Sequence, residues 1–277
     1  MKFESLIYKE IEETAWILLN RPEVMNALSM KLSEEIVAAI EIVRQSTKLK
    51  FLVIKGEGPN FCVGDDIKEM IKWGNANDIT RRCRYYQNMA NQLEELDKIT
   101  IAAVDGYAVG GGLEITMVCD FVIATERSKW GMPEVDVGIT PGWGGTTRLA
   151  RLIGRRRAKE INLIGALHTS KKAVEWNLWN RVVANDQLDE EVERLLEVLK
   201  TKNQQGMRQL KFIINRGVEC DLYTAQGFEV LSGALTAAVS GMWKIKDADQ
   251  GKGIIGFTDK AGLWQTRRKL AKDFWVD

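Results

Sequence analysis

In the first 125 residues of the 277-residue chain, short apolar runs alternate with longer segments whose apolar side chains recur at helical spacing. The apolar runs, each bounded by turn residues, predict buried β-strands at residues 14–20, 51–56, 100–106 and 121–125. The periodic segments predict helices at residues 29–45 and 77–96. Because the order of strand, turn and helix occurs at least three times, the pattern favours an α/β fold with parallel strands.

The pattern changes at about residue 154, beyond which helical periodicity dominates as far as residue 239. We place a domain boundary near residue 200, with an α/β core in residues 1–200 and a helical region with a short tail in residues 201–277. A helical appendage often cannot bury its own apolar faces, so this region is predicted to form an oligomer interface. The last segment, residues 263–277, mixes apolar and basic residues and is predicted to pack against a partner, in preference to a membrane surface or a loosely ordered tail.

The composition, with 45% hydrophobic and 28% charged residues, is that of an ordinary globular protein. A net charge of +1 gives no reason to expect nucleic-acid binding. We expect no membrane association, because no run of 18 apolar residues is present and the N-terminus lacks a signal-peptide pattern. The cysteines lack metal-site spacing and predict reduced thiols, no metal site and a cytoplasmic location; they are Cys62, Cys83, Cys119 and Cys220.

A single histidine, His168, restricts the chemistry that the chain can perform. A Ser-His-Asp triad or a multi-histidine metal site would need it. It stands just before Thr169 and Ser170, which predict a helix N-cap, so we interpret it as a surface loop residue. Proton transfer is therefore expected to depend mainly on carboxylates, Lys, Tyr or Cys.

Glycines cluster at three turns: at Gly64, at Gly110 to Gly112, and at Gly142, Gly144 and Gly145. None of these turns has the spacing of a P-loop or a dinucleotide-binding fingerprint. Two of them place backbone N–H groups at a strand-to-helix junction, once after Gly64 and once in the triple glycine. Two such N–H groups that converge on one oxygen would form an oxyanion hole.

Two carboxylates stand near these turns, Glu114 just after the triple glycine and Glu134 twenty residues later, after a proline. Both have apolar neighbours, and burial would raise the pKa of either side chain so that one could act as an acid near neutral pH. Glutamates near helix starts are more often caps or partners of the helix dipole. Composition and spacing alone leave both interpretations open.

Longer motifs point to a known family. The stretches LNRPEVMNALS, FCVGDDIKEM, IAAVDGYAVGGGLEITMVCDFVIATE, MPEVDVGITPGWGGTTRLARLIG and DADQGKGIIGF resemble the enoyl-CoA hydratase/isomerase, or crotonase, superfamily. They follow one another in the order and spacing of that family over about residues 4–258. The resemblance implies an α/β fold made of a crotonase-like spiral of ββα turns, with a C-terminal helical trimerisation region.

The resemblance also implies an acyl-CoA thioester as the substrate, with no cofactor, because coenzyme A is part of the substrate. In such enzymes two backbone N–H groups stabilise the enolate charge that develops on the thioester oxygen. These N–H groups correspond to Asp65 and Gly111. The glutamate pair of the hydratases corresponds to Glu114 and Glu134, so the implied reaction is syn addition of water to a trans-2-enoyl-CoA, or its reverse.

In that reaction Glu114 would orient and deprotonate the water, Glu134 would protonate carbon 2, and the N–H of Gly142 would help to position the water. By the same resemblance, a homotrimer or a dimer of trimers is implied. The implied CoA contacts are Met25, Ala27, Leu28, Asp66, Ile67 and Lys68, with Phe257 and Lys260 from a neighbouring subunit.

Two positions depart from the family pattern. Asp65 stands where a small residue is usual, and since its carboxylate would oppose an enolate charge, we expect it to point away from the site. Trp143 replaces a residue that is commonly small, and either reshapes the acyl pocket or has a packing role.

Two other functions stay open. One is a different reaction of the same superfamily, such as double-bond isomerisation, dehydration of a carnitine-like ester or hydration of a cyclic dienoyl-CoA. The other is a non-enzymatic, RNA-binding role, suggested by the basic runs at residues 155–157 and 265–272. A simpler interpretation of those runs is a solvated face or contact with CoA phosphates.

Overall fold

A computed structural model of the chain describes residues 3–240 together with residues 269 and 271. It divides into two compact units, the first ending at Val192 and the second beginning at Glu193. This division falls inside a helix, and the domain boundary near residue 200 stays a prediction. Within the part of the chain that the structure describes, no helix has the length and apolar character needed to cross a bilayer.

The first unit is built on a six-stranded sheet. In spatial order its strands are β1 (Leu6–Ile11), β2 (Thr14–Leu19), β3 (Phe51–Gly56), β4 (Ile99–Val104), β6 (Phe121–Thr125) and β9 (Arg181–Val183). All neighbours pair in parallel except β1, which pairs antiparallel with β2 at the edge. Every residue of β2 and β4 is buried, as expected for parallel strands covered on both faces. The four predicted strands are therefore confirmed as β2, β3, β4 and β6, whereas β1 and β9 were missed.

A second sheet of three short strands carries the turn that leads into the glycine run. It consists of β5 (Tyr107–Val109), β7 (Lys129–Gly131) and β8 (His168–Thr169). The interpretation of His168 as a surface loop residue is wrong. His168 lies in β8 and pairs with Trp130 of β7. The centroid of its ring lies 5.2 Å from that of the Trp130 indole and 5.6 Å from that of the Trp176 indole.

The helices mostly follow the predicted segments. They are α1 (Met30–Gln45), α2 (Ile67–Met70), α3 (Ala76–Glu94), α4 (Gly111–Val118), α5 (Thr147–Ile153), α6 (Arg155–Ile164), α7 (Ser170–Glu175), α8 (Leu188–Lys200), α9 (Gln204–Gly217) and α10 (Leu222–Ser240). The side chain of Ser29 caps α1, and that of Thr169 caps α7 as the sequence indicated. A single-turn 3₁₀ helix, Pro133–Val137, lies between β7 and α5.

In the second unit, α9 and α10 pack against each other, with the rings of Phe212 and Phe228 5.4 Å apart. Both helices also expose large apolar side chains. Among them, Ile214 is 62% exposed and Leu231 is 71% exposed. Exposed apolar surface of this extent is typical of a site that contacts another protein.

Candidate active site

The triple glycine lets β5 turn directly into α4 while another backbone segment crosses it closely. Gly110 has a φ of +53°, which favours glycine, and its N–H donates to the carbonyl of Gly131 at 3.0 Å. A Cβ on Gly112 would lie 2.1 Å from the carbonyl oxygen of Cys62, so no larger residue fits there. Close approach of another backbone segment therefore explains why three glycines stand at the start of α4.

The two predicted oxyanion-hole turns are brought together by this approach. The N–H of Cys62 donates to the carbonyl of Tyr107, and the N–H of Val109 donates to the carbonyl of Cys62. A Cβ on Gly64 would lie only 2.9 Å from the backbone nitrogen of Gly111. Within the described residues, neither the Asp65 N–H nor the Gly111 N–H donates to an acceptor. Two donors next to each other are thus free to receive a ligand oxygen.

Glu114, in the first turn of α4, is only 1% exposed. Its Oε1 accepts hydrogen bonds from the backbone N–H of Trp143 at 3.0 Å and of Gly145 at 2.6 Å, and its Oε2 has no partner. Burial raises the pKa of this carboxyl to about 8, assisted by the charges of Glu134 and Asp65 and opposed by the two N–H donors. One oxygen is therefore held firmly while the other can engage a ligand.

Glu134 approaches from the 3₁₀ helix Pro133–Val137. Its Oε1 lies 3.1 Å from the position that a Cβ on Gly110 would take, so it reaches the glycine run. Its Oε2 is shielded from solvent and has no hydrogen-bond partner. Burial raises the pKa of this side chain as well. The two glutamates thus converge on the same turn from different elements.

Asp65 does not point away, contrary to expectation. Although the residue as a whole is half-buried, its Oδ1 is inaccessible to solvent and has no partner. Burial, assisted by the charge of Glu134 and opposed by hydrogen bonds from the side chains of Trp143 and Tyr86, raises the pKa of this carboxyl to about 7. A third carboxyl is therefore coupled electrostatically to the glutamate pair.

Three buried carboxyls that interact in this way do not all ionise together near neutral pH. Some retain a proton and can act as acids, while an ionised neighbour can act as a base. Within the described residues, no group of three His, Cys, Asp or Glu side chains is arranged to hold a metal ion. The site therefore offers acid, base and N–H donor groups around one turn.

The third glycine-rich turn holds the carboxylate of Glu114, a role that the sequence had not indicated for it. The donors are the N–H groups of Trp143 and Gly145. Gly142 precedes them, and its carbonyl accepts a hydrogen bond from Gln87 Nε2 at 2.8 Å. A water-positioning role for the Gly142 N–H stays a prediction. The clustered glycines were the signal that could have identified the two donors.

The candidate CoA contacts of the first unit lie beside the Gly64 turn. The N–H of Leu28 donates to the carbonyl of Gly64 at 2.8 Å, and the N–H of Asp66 donates to the carbonyl of Leu28 at 3.1 Å. Leu28 and Ala27 are themselves buried, whereas Met25 is 44% exposed. The segment is therefore anchored to the oxyanion-hole turn by its backbone, with Met25 open to solvent.

On the other side of that turn, Ile67 and Lys68 begin α2 and are exposed. The Asp66 carboxylate is already engaged, because it caps α2 through the N–H of Lys68 and forms a 2.9 Å ion pair with Arg21. Asp66 thus fixes the turn whether or not a ligand is present, and the sequence had not pointed to Arg21. Phe257 and Lys260 lie outside the described residues.

The chain is similar to known proteins over most of its length. The family model described as enoyl-CoA hydratase/isomerase matches residues 10–265. A crotonyl-CoA hydratase from Syntrophomonas wolfei is 34% identical, over 94% of this chain and 97% of the relative. A short-chain-enoyl-CoA hydratase from Clostridium acetobutylicum is 34% identical, over 83% of this chain and 88% of the relative.

Among solved structures, an enoyl-CoA hydratase from Bacillus anthracis superposes with a TM-score of 0.81 at 30% identity, covering 88% of this chain and 96% of that one. The chain belongs to the enoyl-CoA hydratase/isomerase family and has the crotonase fold, as its motifs indicated.

Proposed function

We propose that this protein is an enoyl-CoA hydratase, which adds water in a syn manner to a trans-2-enoyl-CoA or catalyses the reverse dehydration. The observation that carries the proposal is the convergence of Glu114 and Glu134 on the Gly110 turn, each with an unpartnered, buried Oε2. The names of the relatives from Syntrophomonas wolfei and Clostridium acetobutylicum support the same reaction.

The thioester oxygen of the substrate would accept hydrogen bonds from the N–H groups of Asp65 and Gly111. These donors stabilise the negative charge that the oxygen gains as the enolate forms, and they are positioned before the reaction begins. The close approach of Gly64 to the nitrogen of Gly111 supports this arrangement, since it brings the turn that carries Asp65 up to the turn that carries Gly111.

Glu114 is the better candidate for the base. Its Oε1 is held by the backbone N–H groups of Trp143 and Gly145, which favour the ionised form, and its Oε2 is left to orient the water. Glu114 would take a proton from water as the water oxygen bonds to carbon 3. Glu134, protonated, would give its proton to carbon 2. Return of the proton from Glu114 to Glu134 would then restore both carboxyls, so that one water molecule is added in total.

The proposed reaction needs no cofactor beyond the CoA of the substrate. We further propose that α9 and α10 belong to an oligomerisation region, and that the protein is a homotrimer or a dimer of trimers located in the cytoplasm. The exposed apolar side chains of both helices support an interface there. Family membership favours this assembly over a monomer.

The test is the loss of conjugated-thioester absorbance when the protein is added to crotonyl-CoA, with Glu114→Gln and Glu134→Gln alongside. We expect rapid loss with the parent protein and a fall of at least about 10²-fold in kcat for each variant. Binding of butanoyl-CoA, measured by calorimetry, should persist in both. Near-normal turnover by Glu134→Gln would remove its assigned role.

Product analysis on a panel of enoyl-CoA esters separates the alternatives. Formation of a shifted double bond without uptake of water would indicate an isomerase. Turnover of only cyclic or carnitine-like esters would indicate another hydration or dehydration of the same superfamily. Absence of any CoA-ester binding, together with a strongly salt-dependent affinity for RNA, would favour the non-enzymatic role.

A further inference from the structure

The indole of Trp143 lies directly against the oxyanion-hole turn. If Gly111 carried a Cβ, that atom would lie 2.1 Å from Trp143 Cζ2, and its three nearest atoms would all belong to the indole. Trp143 is 3% exposed, and its backbone N–H is one of the two that hold Glu114. One residue therefore touches both the predicted oxyanion donor and the predicted base.

The ring is also fixed in place from the other side. It stacks on the ring of Tyr86 from α3, with centroids 5.0 Å apart and planes 20° from parallel. Tyr86 is itself 2% exposed. A buried aromatic pair in this geometry moves little, since displacing one ring would open a void beside the other.

A small apolar cavity of about 10 Å³ lies against Trp143. Trp143 lines it together with Ile36, Met89, Leu93 and Ile115. This space holds roughly one water-sized group. The apolar packing between α1, α3 and α4 therefore leaves almost no free space beside the indole.

We propose that the Trp143 indole sets the length of the acyl chain, and that the preferred substrate is a short-chain enoyl-CoA of about four carbons. This inference rests on the proposed function, because the thioester oxygen must lie at the N–H groups of Asp65 and Gly111. With carbon 3 beside the glutamates, further methylenes would have to enter the region that the indole fills. A side chain smaller than tryptophan would join the cavity to the site and admit them.

The first experiment measures binding and needs no turnover. Affinities for butanoyl-CoA and decanoyl-CoA, both saturated and unreactive, are measured by calorimetry on the full chain and on Trp143→Phe and Trp143→Ala. In the parent, decanoyl-CoA should bind no more tightly than butanoyl-CoA. In Trp143→Ala, the ratio of the two affinities should move toward decanoyl-CoA by at least about tenfold, because several methylenes become buried. Trp143→Phe, which is the safer variant for folding, should move it less but in the same direction.

Trp130→Phe is the matched control, since Trp130 is fully buried but neither lines the cavity nor contacts Gly111. Trp130→Phe should leave the ratio of the two affinities unchanged. If the effect came from a general loosening of the core, substitution of either tryptophan would alter that ratio. The proposal is overturned if the parent already binds decanoyl-CoA about tenfold more tightly, or if both Trp143 variants keep the parent ratio.

A second measurement separates this inference from the proposed function. The ratio of kcat/KM for 2-decenoyl-CoA to that for crotonyl-CoA should rise in Trp143→Ala by a similar factor. An altered binding ratio without hydration of either ester would support the role of Trp143 and refute the hydratase proposal. Hydration of both esters with equal efficiency by the parent would support the hydratase proposal and refute the role of Trp143.

Discussion

The backbone N–H of Gly145 donates a 2.6 Å hydrogen bond to Oε1 of Glu114, a residue 31 positions earlier in the chain. With the parallel bond from Trp143, it fixes one oxygen of a carboxyl that is otherwise buried without a partner. This arrangement leaves the second oxygen to the ligand. The ionisation of Glu114 also depends on its burial and on its acidic neighbours Glu134 and Asp65, and this dependence can be measured.

The stability of the fold should depend on pH through Glu114. Its pKa is raised by burial from 4.5 to about 8, so the folded state favours the protonated carboxyl. The contribution to stability is complete below the ordinary pKa and is lost as pH rises toward 8, because the unfolded chain ionises first. Glu114→Gln keeps an acceptor for both N–H groups and does not titrate.

We therefore expect the variant to gain in stability over the parent as pH rises from about 4.5 to about 8, by on the order of 2–5 kcal/mol. The measurement is urea unfolding at several pH values. Glu193→Gln, on the exposed face of α8, provides a control that should show no such trend. A constant difference between Glu114→Gln and the parent would contradict the burial of an uncompensated carboxyl.

The Asp65 carboxyl should alter the pH profile of the reaction. Its charge raises the pKa of Glu114, so Asp65→Asn should lower that pKa and let the base ionise at lower pH. Burial raises the pKa of the neighbouring Cys83 and Tyr86, which keeps both groups neutral in the relevant range. The acidic limb of kcat/KM against pH should shift downward by up to about one unit.

Asp136→Asn is the matched control for this shift. Asp136 follows Glu134 by two residues in the same 3₁₀ helix and is exposed, so its charge is screened by solvent. Its profile should coincide with that of the parent. An Asp65→Asn profile that also coincides would show that the third carboxyl does not interact with the base.

Gly111 should tolerate a methyl group only if Trp143 is reduced. Gly111→Ala places a Cβ 2.1 Å from Trp143 Cζ2 and should displace the indole and the adjacent turn, lowering kcat at least about tenfold. In a Trp143→Ala background the same change meets no indole and should cost much less. Kinetics on crotonyl-CoA for the four proteins of this cycle measure the coupling directly.

Gly227→Ala is the control for adding a methyl group to a glycine that has no close neighbour. Nothing lies within 4 Å of a Cβ at Gly227, inside α10, so this change should leave activity intact and stabilise the helix by up to about 1 kcal/mol. Additive effects of Gly111→Ala and Trp143→Ala would show that the indole does not contact the turn.

Assembly should depend on the apolar faces of the C-terminal helices. Leu231 is 71% exposed on α10, and Leu231→Glu should shift the parent oligomer toward smaller species, since a charge cannot be buried unpaired in an interface. Light scattering coupled to size exclusion gives the mass. Gln226→Glu, on an exposed position of the same helix, tests whether added charge alone has this effect. A parent protein that runs as a monomer would refute the oligomerisation proposal.

Four of the six strands of the large sheet and most helices could be predicted from local pattern. Apolar runs such as residues 51–56 and helical periodicity such as residues 29–45 depend on neighbouring positions alone, and the structure confirms both. Family motifs also placed Glu114 and Glu134 near glycine-rich turns. The edge strand β1 was not predicted, because half of it is exposed and its polar residues obscure the strand pattern.

The sequence by itself thus specified four strands of the large sheet, most helices and the chemical groups of the site. Tertiary structure decided how those groups face one another: the bond from Gly145 to Glu114, the inward turn of Asp65, and the indole of Trp143 over Gly111. Each of these depends on residues at least 29 positions apart or on the direction of one side chain. Such contacts arise from packing in three dimensions, which local periodicity does not encode.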